Sequence, residues 1–379
     1  MQTFAESNRH GQLQVALDAS VIIGELGGPG VAFQHLLQRL STRGDLQLSV
    51  FALGLKAGDL SVRVPKSVTH HQRNLPARLT RAMWRTSAWP SIRHLTGAVD
   101  LVHTMGGVIP PRGNMPMLVT VHDATPVTHE GLSSPAERSR LQSLRRAMDG
   151  GAIVHTPTEA VKADLVSFLG LEQQRIAVVP FAVPVLESRD QVGVDKWLPQ
   201  GTDRYVVALG AATPRKGYSY LIEAFQQLAD EDPHLGLILI GRCTNEQRLD
   251  LRGLRHGNKI VHTGVLSSAE AATLLQSAAM LVHPSLSEGF GFPPLQAMAA
   301  GVPVIASDLP ALREVAGDAA LYARPRDAGA LAHAMQVLLH NSALHRDLTI
   351  RGRRRVDAFG AESEAAQFAE IYRLVHAHG

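Results

Sequence analysis

The chain has 379 residues, 45% of them hydrophobic and 19% charged, and a formal net charge of +3 at pH 7. That length suits two ordinary domains better than one, and the apolar share is enough to fill two cores. The single cysteine, Cys243, excludes a disulfide framework and a cysteine-built metal site.

The N-terminal stretch from Met1 to His10 lacks a basic segment followed by an apolar run, so no signal peptide is expected. No stretch reaches the roughly 18 apolar residues of a spanning helix, and a cytoplasmic protein is the expectation. The first apolar run, Leu13 to Leu17, is a candidate strand, and the glycine-rich Gly24 to Val31 follows it before an amphipathic pattern. Gly28 and Gly30 in this turn could bring backbone N–H groups up to an anion at a helix start. A plain strand-to-helix turn explains them too. The spacing is not G-x-G-x-x-G and no acidic residue stands about 20 positions on, which disfavours a dinucleotide.

A second run, Leu46 to Phe51, precedes a window with an unusual charge balance. No acidic residue lies between Asp59 and Asp100, while Arg63, Lys66, Arg73, Arg78, Arg81, Arg85 and Arg93 do. Leu75, Leu79, Met83, Trp84, Trp89 and Ile92 are interleaved with them. The window 60–99 reads either as a segment that rests on an anionic surface or as a solvated helix face. The run Met117 to Val121 ends in His122-Asp123, a polar pair at a strand tip. His122 there could donate to a sugar hydroxyl or a phosphate oxygen, or be a satisfied strand-end histidine. The run Ala152 to His155 leads into Thr156-Pro157-Thr158-Glu159, which reads as a capping box with proline at the first helical position.

A polar stretch with Pro and Gly, 186–203, separates this series from a second one and reads as a linker. The later runs are Tyr205–Leu209, Leu237–Ile240, Ile260–His262, Met280–His283 and Val302–Ala306, with a capping box at Ser267 to Glu270. Nearly continuous apolar runs alternating with helical patterns imply parallel sheets buried on both faces. The expected fold is therefore α/β, with two Rossmann-like domains facing across a cleft that the strand-end loops line. The domains are 1–185 and 204–360, and 361–379 forms a terminal helix.

The second half carries the strongest chemical signals. Gly210 opens the loop Gly210-Ala211-Ala212-Thr213-Pro214-Arg215-Lys216-Gly217 after a strand. Arg215 and Lys216 suit a diphosphate, one through paired donors and the other as a point charge. Cations at a helix start oppose its dipole, which hints at an anion. After Met280–His283 comes Glu288-Gly289-Phe290-Gly291-Phe292-Pro293-Pro294-Leu295-Gln296. Here a carboxylate stands beside a turn at Gly289, Phe290 and Gly291 that exposes backbone amides, and Glu288 would be costly to bury without partners.

This segment resembles the E-x7-E motif of retaining glycosyltransferases of family 4, which have the GT-B fold. Gly210 to Gly217 resembles that family's Gly-x-x-x-x-Arg-Lys loop, and Glu314 to Leu321 its following helix and strand. The resemblance implies that Arg215 and Lys216 bind a donor diphosphate and that Glu288 holds the donor sugar, helped by amides of Gly289 to Gly291. His122 would face sugar and phosphate, Gln296 would reach the ribose, and Gly28 and Gly30 would form the N-terminal glycine loop. It also implies retention of configuration, no metal or other cofactor, and a terminal helix crossing back to the first domain. Family habit puts GDP-mannose ahead of UDP-sugars and dTDP-rhamnose as donor, and a saccharide or lipid-linked molecule as acceptor, with no nucleic acid partner. Gln296 stands where the family has its second glutamate, so altered nucleotide binding is expected. A non-catalytic nucleotide-sugar-binding subunit and a nucleotide-sugar epimerase on the same fold are the alternatives.

Overall fold

The structure is a computed structural model that describes residues 11–378 apart from 24–26, 54–59, 74–76, 85–86, 88, 106–108, 134, 185, 187–192, 194, 200, 244–250 and 252. The chain divides into two compact units, 1–182 with 359–379, and 183–358.

The first unit holds seven strands: β1 (Leu13–Asp18), β2 (Leu46–Leu53), β3 (Thr69–Arg73), β4 (Leu101–Thr104), β5 (Met117–Thr120), β6 (Ile153–Thr156) and β7 (Ile176–Val178). All pair in parallel, in the order β3-β2-β1-β4-β5-β6-β7. Central strands such as β4 and β5 are buried along their whole length, as continuous apolar runs require when helices cover both faces. The helix Ala361–Ala377 belongs to this unit and buries Phe368, Ile371, Tyr372 and Val375.

The second unit holds β8 (Arg204–Leu209), β9 (Leu235–Ile240), β10 (Ile260–Gly264), β11 (Met280–His283), β12 (Val304–Ser307) and β13 (Ala320–Ala323). These too are parallel, in the order β10-β9-β8-β11-β12-β13. The order reverses direction between β8 and β11, which opens a crevice beyond their carboxyl ends, the place where open α/β sheets bind ligands. The loops after these two strands carry Gly210 to Gly217 and Pro284 to Gly291.

The capping box expected from Thr156 is placed differently. Thr158 is the cap, its hydroxyl accepting from the Val161 N–H, and the helix runs from Glu159 to Leu169. Pro157 therefore precedes the cap, because Thr156 is still paired in β6. The Ser267–Glu270 box forms in full, each side chain accepting from the other's backbone N–H.

The described parts of the window 60–99 are a short 3-10 turn at Leu60–Val62, strand β3, and helices Ala77–Met83 and Ile92–Thr96. Trp84 and Ile92 are core residues, the Trp84 Nε1–H donating to the Pro90 carbonyl at 3.0 Å, whereas Leu79 and Trp89 are exposed. Leu75, Arg85 and the side chains of Arg73, Arg78 and Arg81 lie outside the described residues.

Candidate functional site

The sequence of the β8 loop dictates a tight approach to the β11 loop. Pro214 to Lys216 form a 3-10 turn, and Gly217 caps the helix Tyr218–Glu231 in the left-handed region at φ 65°. A Cβ on Gly217 would lie 2.1 Å from the Pro284 carbonyl oxygen, so only glycine lets the two loops touch. The Leu286 N–H donates to the Arg215 carbonyl at 2.7 Å and fixes their register.

This contact brings together Arg215, Lys216 and Glu288. Lys216 Nζ donates to Glu288 Oε2 at 2.7 Å, and Arg215 Nη1 lies 3.4 Å from Oε1 while donating to the Ser287 carbonyl at 2.9 Å. The Glu288 and Lys216 side chains are each 12% exposed. Burial alone pushes the Glu288 carboxyl up, but the Lys216 and Arg215 charges outweigh it and hold it well below the usual carboxylate range. The two cations set against the helix dipole thus meet an anion inside the protein. Among the described residues, two cations are thus gathered on one carboxylate.

Two further residues complete the cluster, and neither stood out in the sequence. His283 Nε2 lies 3.1 Å from Glu288 Oε2, and the Ser285 hydroxyl donates to the same oxygen at 3.3 Å. A carboxylate only accepts, so His283 carries its proton on Nε2. Burial and the nearby Lys216 charge lower the His283 pKa to about 4, and the imidazole is a neutral donor. The signal that could have found them is polarity at positions −5 and −3 from the motif's acid, at the tip of an otherwise apolar strand.

Gly210, with φ 137°, begins the β8 loop, and its carbonyl accepts from the Tyr218 hydroxyl at 3.0 Å. Gly291 is the left-handed cap of helix Phe292–Ala299, and Phe290 packs edge-on against Phe292 at 5.0 Å. Gln296 is buried on that helix and donates through Nε2 to the Pro184 carbonyl at 3.2 Å. A carboxylate could not make that bond, which gives a physical reason for the amide where the motif has an acid.

The remaining expected residues belong to the first unit. Gly28 and Gly30 form the first turn of helix Gly28–Leu40, with Gly27 as its cap. His122 follows β5, hydrogen-bonds the Met105 carbonyl through Nε2 at 3.1 Å, and stacks on Phe181 at 5.4 Å. Burial lowers its pKa against the opposing pull of that hydrogen bond and of Asp123.

Two family models match consecutive parts of the chain: glycosyltransferase family 4 over residues 26–185, and glycosyl transferases group 1 over 194–355. The chain is 31% identical over 263 residues to O-antigen chain mannosyltransferase B of Escherichia coli, an alignment spanning 64% of this chain and 66% of that protein. It is 32% identical over 225 residues to the MMP alpha-(1->4)-mannosyltransferase of Mycolicibacterium hassiacum, spanning 57% of this chain and 53% of that one. The matched stretch is thus between about half and two thirds of these relatives' own lengths. Sucrose-phosphate synthase from Thermosynechococcus elongatus shares the fold, with a TM-score of 0.77 at 23% identity over 97% of this chain and 100% of that one. The two matched models, the relatives and the paired parallel sheets agree: the chain belongs to the group 1 glycosyltransferases of family 4 and has the GT-B fold.

Proposed function

We propose that the protein transfers a hexosyl residue, with retention, from a nucleotide-diphosphate sugar to a saccharide or lipid-linked acceptor in glycan assembly. The observation that carries this reading is the buried Glu288 carboxylate held between Arg215 and Lys216 at the β8/β11 crevice. Glu288 accepts from hydroxyls of the donor sugar, and the adjacent Arg215 and Lys216 suit a diphosphate. Negative charge grows on the departing nucleotide as the glycosidic bond breaks. Preorganised cations stabilise such a leaving group in the transition state without a metal. Mannose is the first candidate sugar, since both relatives named above are mannosyltransferases. GDP-mannose is therefore placed ahead of other donors, and retention is carried by the family resemblance.

The Gln296–Pro184 hydrogen bond gives the missing second acid a structural reason, so that departure from the motif does not itself call for a non-catalytic subunit. We also assign peripheral contact with an anionic membrane to the window 60–99, where Leu79 and Trp89 are exposed. Equal recovery with neutral and anionic vesicles in sedimentation would remove that assignment.

The test of the main reading is release of nucleoside diphosphate by the purified chain from a panel of nucleotide sugars, with and without saccharide acceptors. Turnover that depends on acceptor, persists in chelator and keeps the anomeric configuration supports it. Full turnover by Glu288→Ala would overturn the assignment of this site.

A further inference from the structure

His283 and Ser285 surround one side of Glu288 with neutral donors, and the distribution of those donors is uneven. Oε2 receives Lys216 Nζ at 2.7 Å, His283 Nε2 at 3.1 Å and Ser285 Oγ at 3.3 Å. Oε1 faces Arg215 Nη1 at 3.4 Å. A carboxylate oxygen has about two lone-pair sites, so Oε2 is saturated while Oε1 keeps capacity. Both neutral residues are rigidly placed. His283 is paired with Ala306 in the sheet and 2% exposed, and Ser285 is fully buried.

We infer that His283 and Ser285 are positioning residues: they fix the Glu288 carboxylate with Oε2 turned inward and Oε1 presented to the donor sugar. The inference rests on the reading that Glu288 holds that sugar. Its physical basis is a competition. Lys216 has a long, flexible stem, and a diphosphate would draw its ammonium away from Oε2. A carboxylate oriented only by cations would then swing with them. Short side chains anchored in β11 and its loop do not move, so Oε2 stays satisfied while Lys216 turns to the phosphate. A neutral imidazole suits this task, since it adds a donor without adding a charge that the diphosphate could attract. The groups that face Glu288 are Arg215, Lys216, His283 and the Tyr218 phenol.

The experiment compares His283→Phe, His283→Gln, Ser285→Ala and Glu288→Ala in the full chain, using whichever of GDP-mannose or UDP-glucose supports turnover. GDP and UDP binding is measured alongside. His283→Phe is expected to lower kcat about tenfold or more while nucleoside diphosphate affinity stays within about twofold, since the lost interaction acts on the sugar end. It should also move the acid limb of kcat/KM to higher pH, because a carboxylate short of one donor protonates more readily. His283→Gln, whose amide nitrogen reaches the Nε2 position, should recover most of the loss. Ser285→Ala should lower kcat by about threefold, a small effect because its hydrogen bond to the carboxylate is long at 3.3 Å.

A His283→Phe protein with unchanged kcat and acid limb overturns the inference, as does a His283→Gln protein impaired as far as the Phe variant. Should His283→Phe not fold, Ser285→Ala decides: unchanged kcat and acid limb overturn the inference. Full activity of Glu288→Ala is a different outcome, because it overturns the underlying reading of the site.

Discussion

The two units each bury a polar network, and the two networks are built on opposite principles. In the second unit a buried carboxylate is held among Arg215, Lys216, His283 and Ser285. In the first, a chain of neutral groups runs from Tyr372 through His103, Thr120 and His155 to the Val179 carbonyl. The direction of that chain follows from its end. Val179 can only accept, so His155 Nε2 carries a proton and its Nδ1 accepts from Thr120. Thr120 in turn accepts from His103 Nε2, leaving His103 Nδ1 to accept from the Tyr372 hydroxyl. Burial drives His103 far below the ordinary histidine range and His155 to about 3, so no charge enters. The neutral network is complete within itself and joins a helix to a sheet. The charged one gathers two cations, an imidazole and a hydroxyl on a single carboxylate.

Substitutions can break or sharpen this contrast. The largest effect is expected at Glu288→Ala or Lys216→Ala, with kcat/KM for sugar transfer falling by roughly a hundredfold to a thousandfold. Steady-state kinetics on folded protein checks this, and a loss confined to stability would erase the distinction. Next comes Glu364, buried on the terminal helix, whose pKa burial raises to about 8 against the pull of the Ala182 backbone. The unfolded chain releases this proton near 4.5 and the folded chain only near 8, so stability falls as pH rises across that window. Glu364→Gln should raise stability by about 3 kcal/mol at pH 7 and flatten the slope above pH 4.5, as denaturant melts across pH would show.

Tyr372→Phe strips His103 Nδ1 of its donor and should cost about 1–3 kcal/mol in the same melts. The donor-binding constants should stay unchanged. His155 has the opposite pH sense to Glu364. Its folded pKa is about 3 and its ordinary value 6.5, so its contribution is present above 6.5 and lost as pH falls toward 3. Smallest is Gln296→Glu, expected to change nucleotide affinity by about threefold, since it adds a charge but loses the bond to Pro184. Calorimetric titration with GDP and UDP measures it.

Much of the fold was legible because central strands must be apolar on both faces. Leu13–Leu17, Leu46–Phe51 and Tyr205–Leu209 announce themselves for that reason. The edge strands of the first sheet were not legible. β3 reads Thr-His-His-Gln-Arg and β7 spans only Ile176–Val178, because an edge needs less apolar cover. Arg215, Lys216 and Glu288 were visible as local motifs, but Lys216 and Glu288 are 72 positions apart and meet only when the chain between them folds into three strands and their helices. His283 and Ser285 stayed hidden because a strand-end histidine is common and its partner can only be seen in three dimensions. Trp84 and Ile92 misled for a similar reason. Basic neighbours suggested a surface, while tertiary packing put both side chains in a core.

The hydrogen bond between His103 and Tyr372 joins residues 269 positions apart. The first unit therefore contains a piece of chain made only after the whole second unit has been synthesised. On the ribosome, the face that receives Phe368 and Tyr372 waits uncovered while residues 183–358 emerge, and nonlocal closure of this kind is slow and exposed to misassembly. A truncation before Ala361 would thus damage the unit that was made earlier, since a helix made after the second unit finishes the fold begun before it.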